Sequence, residues 1–226
     1  MFFTRTKTEW TFLWNHTDHR RLMLMNVLLF SMVSFFHISF LQWAESRNGF
    51  LLNDWIHRFL PARDFSLPIF ALTWFALLGS LLLVLLRPIW FFAGLLSFTF
   101  MFILRSLCMF LIPLEAPADL IPLVDPVAGF FLHNENVFVK KDLFFSGHTA
   151  SLCILALIIR SHAFRYYLLF CLLVVPFLIV WQRVHYTVDI LAAPVAAWFC
   201  VRMARKVTAA LFSKQSYSLN RIWQTG

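Results

Sequence analysis

Residues Asp142–Arg160, DLFFSGHTASLCILALIIR, join two textures in one piece of chain. Asp, Ser, Gly, His and Thr crowd its mouth, and a greasy run follows. The run shows no period-two alternation, so it reads as a helix rather than a strand. A greasy helix needs an apolar surround. The polar mouth then stands where the helix reaches the edge of that surround.

Working outward, the same greasiness recurs. The chain has 226 residues, of which 61% are hydrophobic and only 13% charged. Mean hydropathy is +0.75. That balance excludes a soluble domain and describes a polytopic membrane protein. Apolar runs fall at 22–44, 67–86, 89–113, 145–160, 164–182 and 186–203. Backbone groups in lipid must be satisfied within each segment, so each run is read as a helix. The expected fold is an all-α membrane protein: a six-transmembrane-helix bundle over residues 22–203, with tails at 1–21 and 204–226. No cleavable signal peptide is expected, because the first apolar run is long enough to span and stay.

Charge orients the bundle. Arg5, Lys7, Arg20, Arg21, Arg87, Arg160, Arg165, Arg202, Arg205, Lys206, Lys214 and Arg221 fall on one side. The other side has only Arg47, Arg58, Arg63, Lys140, Lys141 and Arg183. Both termini are therefore expected in the cytoplasm. The 1–2, 3–4 and 5–6 connections face the periplasm, lumen or cell exterior. Short loops fit a bacterial inner membrane better than an endomembrane. The net charge of +8 sits at helix ends and tails, which suits anionic lipid heads and not nucleic acid. The sequon Asn15-His16-Thr17 falls on the cytoplasmic side and is discounted.

Cys108, Cys153, Cys171 and Cys200 lie in apolar runs without a C-x-x-C pair, so they read as buried hydrophobes. The acids Glu45, Asp54, Asp64, Glu115, Asp119, Asp125, Glu135 and Asp142 all fall in outward connections. The longest connection, 114–144, is a candidate functional loop or lid.

Three places could carry chemistry. Ser146, Gly147 and His148 open the fourth helix, whose N-terminus offers unpaired N–H groups and a positive dipole end to a phosphate. His148 then stands where a proton could reach a leaving oxygen, although a Ser cap beside an interfacial His is the plainer reading. In RVHYTVDILAA (Arg183–Ala193), His185 and Asp189 are four apart and share a helix face. Asp189 can hold one ring nitrogen of His185 and leave the other free to attack. A zinc site is rejected, since no further ligand accompanies them. Arg105, inside FTFMFILRSLCMFLIP (Phe98–Pro113), needs an anion: Asp189, Asp142, an outer-loop acid or a substrate phosphate. Arg183 could touch phosphate or anchor the interface. By topology both His segments emerge on the outer side, so two His and one Asp can converge.

Asp142–Thr149 (D-x3-SGHT) and His185–Asp189 (HYTVD) together resemble the sphingomyelin synthase branch of the lipid phosphate phosphatase superfamily, PAP2-like proteins. Arg105–Pro117 resembles that family's Arg-containing third helix more weakly. The resemblance spans roughly 100–195 and implies six helices with an outward site. It implies catalysis by His148, His185 and Asp189. His185 would be the nucleophile, Asp189 its orienter and His148 the acid and base. The implied phosphate- and substrate-binding set is Arg105, Asp142, Ser146, Gly147, Thr149 and Tyr186, with no metal and no cofactor. The implied partners are a phospholipid donor and a lipid alcohol, ceramide or diacylglycerol. Phe145 stands where the phosphatase branch has Pro, and Ile179 where it has Arg, while Lys140-Lys141 replaces Cys-Gly. The implied function is lipid head-group phosphotransfer, with lipid phosphate hydrolysis as the alternative.

Overall fold

The computed structural model describes residues 2–123 and 139–212. Arg5's side chain, Asp125, Glu135, Lys214, Arg221, most of the 114–144 connection and the end of the C-terminal tail lie outside the described residues.

The described chain is helical. Its helices are α1 (Phe2–Asn15), α2 (Thr17–Glu45), α3 (Ser66–Leu85), α4 (Pro88–Leu111), α5 (Gly147–Ile158), α6 (His162–Trp181) and α7 (Thr187–Phe212). A single 3-10 turn, Ile56–Arg58, sits in the 1–2 connection. All six apolar runs became helices, α2 to α7. Five of them are long and apolar enough to cross a membrane. The chain is a multi-pass membrane protein by that measure.

The fourth run differs from the expected span. Only 12 residues of it are helical in α5, a rise of about 18 Å against a hydrocarbon core of about 30 Å. Its packing explains the shortness. α5 touches α3, α4, α6 and α7, and Ala150, Leu152 and Ile154 have no exposed surface. A helix apolar on every side and walled by neighbours does not have to match lipid thickness. Lipid-facing surface belongs to the outer helices, as at Phe35 and Leu173.

The segment read as an N-terminal tail is largely α1. Trp10 Nε1 donates to the Leu85 carbonyl at 2.7 Å, and Glu9 pairs with Arg87 at 2.8 Å. α1 thereby satisfies a C-terminal carbonyl of α3 that would otherwise be orphaned. At the same end, Arg205 of α7 donates to the Leu157 carbonyl at 2.6 Å and does the same for α5.

The opposite end, where the α2–α3, α4–α5 and α6–α7 connections gather, is built from side-chain contacts to loop backbone. Arg47 donates to the Phe110 carbonyl at 2.9 Å and to that of Met109, closing α4. Phe50 bridges to Leu114. A Cβ on Gly49 would stand 2.6 Å from the Leu114 carbonyl carbon, so this crossing needs a glycine. α6 ends in a Schellman turn: Val184 N donates to the Ile179 carbonyl and Arg183 N to Val180, both at 3.0 Å. Arg183 takes the left-handed position with φ 60°, which is unfavourable for a non-glycine.

Candidate active site

α4, α5 and α7 meet below the outer loops, and the sequence-selected residues lie where they meet. Ser146 is the N-cap of α5. Its Oγ accepts from Thr149 N at 3.4 Å and from Thr149 Oγ1 at 3.2 Å. Both side chains are buried, so Thr149 serves the cap. Ser146 N donates to the Asp189 carbonyl at 3.2 Å, which ties the start of α5 to α7.

Arg105 reaches this junction from α4. Its Nε donates to the Phe145 carbonyl at 2.9 Å, and Nη2 pairs with Asp142 Oδ1 at 2.6 Å. Of the anions considered for Arg105, the structure supplies Asp142. A Cβ on Gly147 would stand 2.6 Å from Arg105 Nη1. Glycine here lets the guanidinium lie against the first turn of α5, so Arg105 adds a full charge to the helix's own positive end.

The Asp142 carboxylate reports what surrounds it. Burial alone would raise its pKa. The ion pair with Arg105, with the nearby His185, His37 and His148 contributing in that order, more than offsets this and leaves it lowered. Both motif histidines therefore lie within electrostatic reach of one carboxylate. About a third of the Asp142 side-chain surface remains open. His148 is half-buried, its ring edge-on to Phe70 with centroids 6.1 Å apart.

His185 stands in the turn before α7, not on its face as the spacing suggested, and its Nδ1 lies 3.1 Å from Asp189 Oδ2 in the first turn of α7, with both side chains buried. A carboxylate accepts, so Nδ1 carries the hydrogen, and in the neutral ring Nε2 is the nitrogen with the free lone pair. Oδ2 also accepts from Tyr186 N at 3.2 Å, which fixes the carboxylate. Tyr186 itself is buried. Its hydroxyl donates to the Glu115 carbonyl at 3.0 Å and accepts from Leu52 N at 3.3 Å. That hydroxyl clamps two outer connections onto the motif.

Arg183 is likewise a staple. It donates to the carbonyls of Ala118, His57 and Leu60 and pairs with Asp119 at 3.0 Å. These bonds hold it in its left-handed turn.

Several contributors escaped sequence reading. Asp54 Oδ2 accepts from Thr187 N at 2.5 Å and Oδ1 from Thr187 Oγ1 at 3.1 Å. It therefore caps α7 from a distant connection. Burial would raise its pKa, but the Thr187 and Ile56 bonds and His57 leave it lowered. His57 is buried, stacks 5.9 Å from Tyr186 and has its pKa lowered by desolvation. Gln182, fully buried, accepts from Phe65 N at 2.8 Å and donates to Ser66 Oγ at 3.0 Å, fastening α3 to the end of α6. His37 of α2 lies 2.8 Å from Ser106 Oγ, one residue beyond Arg105. The only available signal for these was a polar residue in or beside an apolar run.

The geometry gathers a cation paired with Asp142, a helix N-terminus, an imidazole held by a carboxylate and a second histidine at the junction of α4, α5 and α7. That set suits an anionic phosphorus centre, held by charge and attacked by nitrogen. Among the described residues, no cluster of His, Cys, Asp or Glu could hold a metal. Comparison with curated proteins and with solved structures gave no significant match. Residues 141–207 match the family model described as PAP2 superfamily C-terminal. The matched segment contains Asp142, Ser146, Gly147, His148, His185 and Asp189. That match supports a likeness to the lipid phosphate phosphatase superfamily, whose members are phosphatases and phosphotransferases.

Proposed function

We propose that the protein moves a phospho-head-group from a glycerophospholipid to a lipid alcohol, ceramide or diacylglycerol, through a phosphohistidine. The observation that carries this reading is the buried His185–Asp189 pair at 3.1 Å, in which Nδ1 is engaged; Nε2 is then the nitrogen assigned as nucleophile. His185 Nε2 attacks phosphorus and forms the P–N bond. The P–O bond to the diacylglycerol breaks, and His148 gives that oxygen its proton. The acceptor alcohol then loses its proton to His148 while its oxygen attacks phosphorus, and the P–N bond breaks. Arg105 and the α5 N-terminus hold the phosphate charge through both steps. Asp189 stabilises the imidazolium. One positioned acid/base group contributes roughly 10²–10⁴-fold.

The reading includes sidedness. Both termini are cytoplasmic, and the site opens on the periplasmic or lumenal face. α5, with the extended residues after it, completes the fourth crossing inside protein, where irregular backbone is tolerated.

The decisive assay uses purified protein in liposomes with a head-group-labelled phospholipid. Ceramide-dependent appearance of a labelled sphingolipid is the expected result. Release of the water-soluble phospho-head-group regardless of ceramide would put water in the acceptor's place, and release of inorganic phosphate from labelled phosphatidate would make the enzyme a lipid phosphate phosphatase instead. The same site serves either outcome, depending on whether water reaches the phosphohistidine.

A further inference from the structure

Below the site lies a groove between α2 and α3, floored by α4 and α5. Its volume is about 420 Å³, and its lining is almost wholly apolar, including Phe30, Leu78, Leu95 and Leu155. Three helices carry it straight down from the site. Phe70, which touches His148, is followed one turn later on α3 by Trp74. His148 is followed on α5 by Ser151, and Arg105 on α4 is preceded by Phe102. Trp74, Ser151 and Phe102 all line the groove. Its far end is formed by Val84, Phe91, Gly94 and Ile158. From Phe102 to Phe91 the helix rises about 16 Å, roughly half of a hydrocarbon core of about 30 Å.

The geometry points to one occupant: a single acyl chain of the lipid whose phosphate sits at Arg105 and His185, with Gly94 setting the length that fits. This rests on the lipid-phosphate reading of the site and adds a specificity determinant to it. Continuity with the site favours a substrate chain over an unrelated lipid. A chain leaving the phosphate would meet apolar side chains on four helices, among them Phe30, Leu78, Leu95 and Leu155. Lipid tails are as apolar as the groove, so burial itself adds little affinity. Fit at the far end decides. At Gly94, α4 presents no side chain, and a Cβ there would make an ordinary 3.7 Å contact with Ile158 Cδ1. A leucine at this position would fill the floor, and leucine is a better helix former than glycine.

The test compares purified Gly94→Leu with wild type on octanoyl and oleoyl forms of one phospholipid. The ratio of oleoyl to octanoyl turnover should fall about tenfold, the scale of an overpacked contact. An unchanged ratio would overturn the groove. Should Gly94→Leu fold poorly, Leu81→Trp at the groove's half-exposed edge takes its place. A second measurement stands apart from turnover. A phospholipid with a photoreactive group at its chain end should label Val84, Phe91 or Ile158. Preferential labelling of Phe35 and Leu173 on the lipid-facing surface would contradict the proposal. Absence of turnover with correct labelling would sink the catalytic reading and leave the groove standing.

Discussion

Gly147 shows how much one missing carbon can carry. The Arg105 guanidinium occupies the space of its Cβ, and Arg105 cannot swing away without releasing Asp142 and the Phe145 carbonyl. Gly147→Ala should therefore cost about 1–3 kcal/mol of stability and lower turnover about tenfold, because the displaced charge is the one proposed to hold phosphate. Thermal melting and turnover of the purified variant check both. Full activity would mean that Arg105 does not act through this contact. At this scale the sequence was partly readable. The four-residue spacing of His185 and Asp189 pointed to the pair, but the contact is not made on a shared helix face: His185 lies in the turn before α7 and meets Asp189 in the helix's first turn. Asp142 was one of several anions open to Arg105, and only the fold chose among them. Asp54 and Gln182 carried no local pattern, because their partners lie more than a hundred residues away.

At the scale of elements, the site depends on helix starts. α5 begins at its own Ser146, but α7 borrows Asp54 from the 1–2 connection. Asp54→Ala should destabilise by about 1–2 kcal/mol, the worth of an N-cap. It should also lower kcat more than it raises KM, since the loss falls on how His185 is held. Asp54→Asn keeps an acceptor and should be milder at neutral pH. Because Asp54's pKa is lowered in the fold, its ionic contribution is complete above the ordinary value near 4. That contribution is lost as pH falls through the lowered value. The stability gap between wild type and Asp54→Asn should therefore shrink in acid, which chemical denaturation at a series of pH values would reveal. A gap independent of pH would show that the carboxylate charge plays no part. The element count was legible because apolar runs must be helices in lipid. The short α5 was not, since an apolar run does not say whether lipid or protein surrounds it. α1 was hidden too, because its polar and aromatic residues alternate without a long greasy stretch.

At the scale of the whole molecule, α4 and α5 form the centre, and α2, α3, α6 and α7 stand around them. The inner end is stapled by Glu9–Arg87 and by Arg205 on the Leu157 carbonyl. The outer end is stapled by Arg47, Arg183 and Lys141, whose Nζ pairs with Glu115 at 2.9 Å. Tags on both termini should be reached only from the cytoplasm, and a cysteine at exposed Trp55 should be labelled only from outside. The reverse pattern would overturn the orientation drawn from charge. The account's central claim, however, rests on one ring nitrogen. Its most direct test is turnover of head-group-labelled phospholipid by purified His185→Ala beside wild type, with melting curves to show that both fold. The account predicts that the variant makes neither transfer nor hydrolysis product while wild type makes one of them. Wild-type turnover by a folded His185→Ala protein would contradict it.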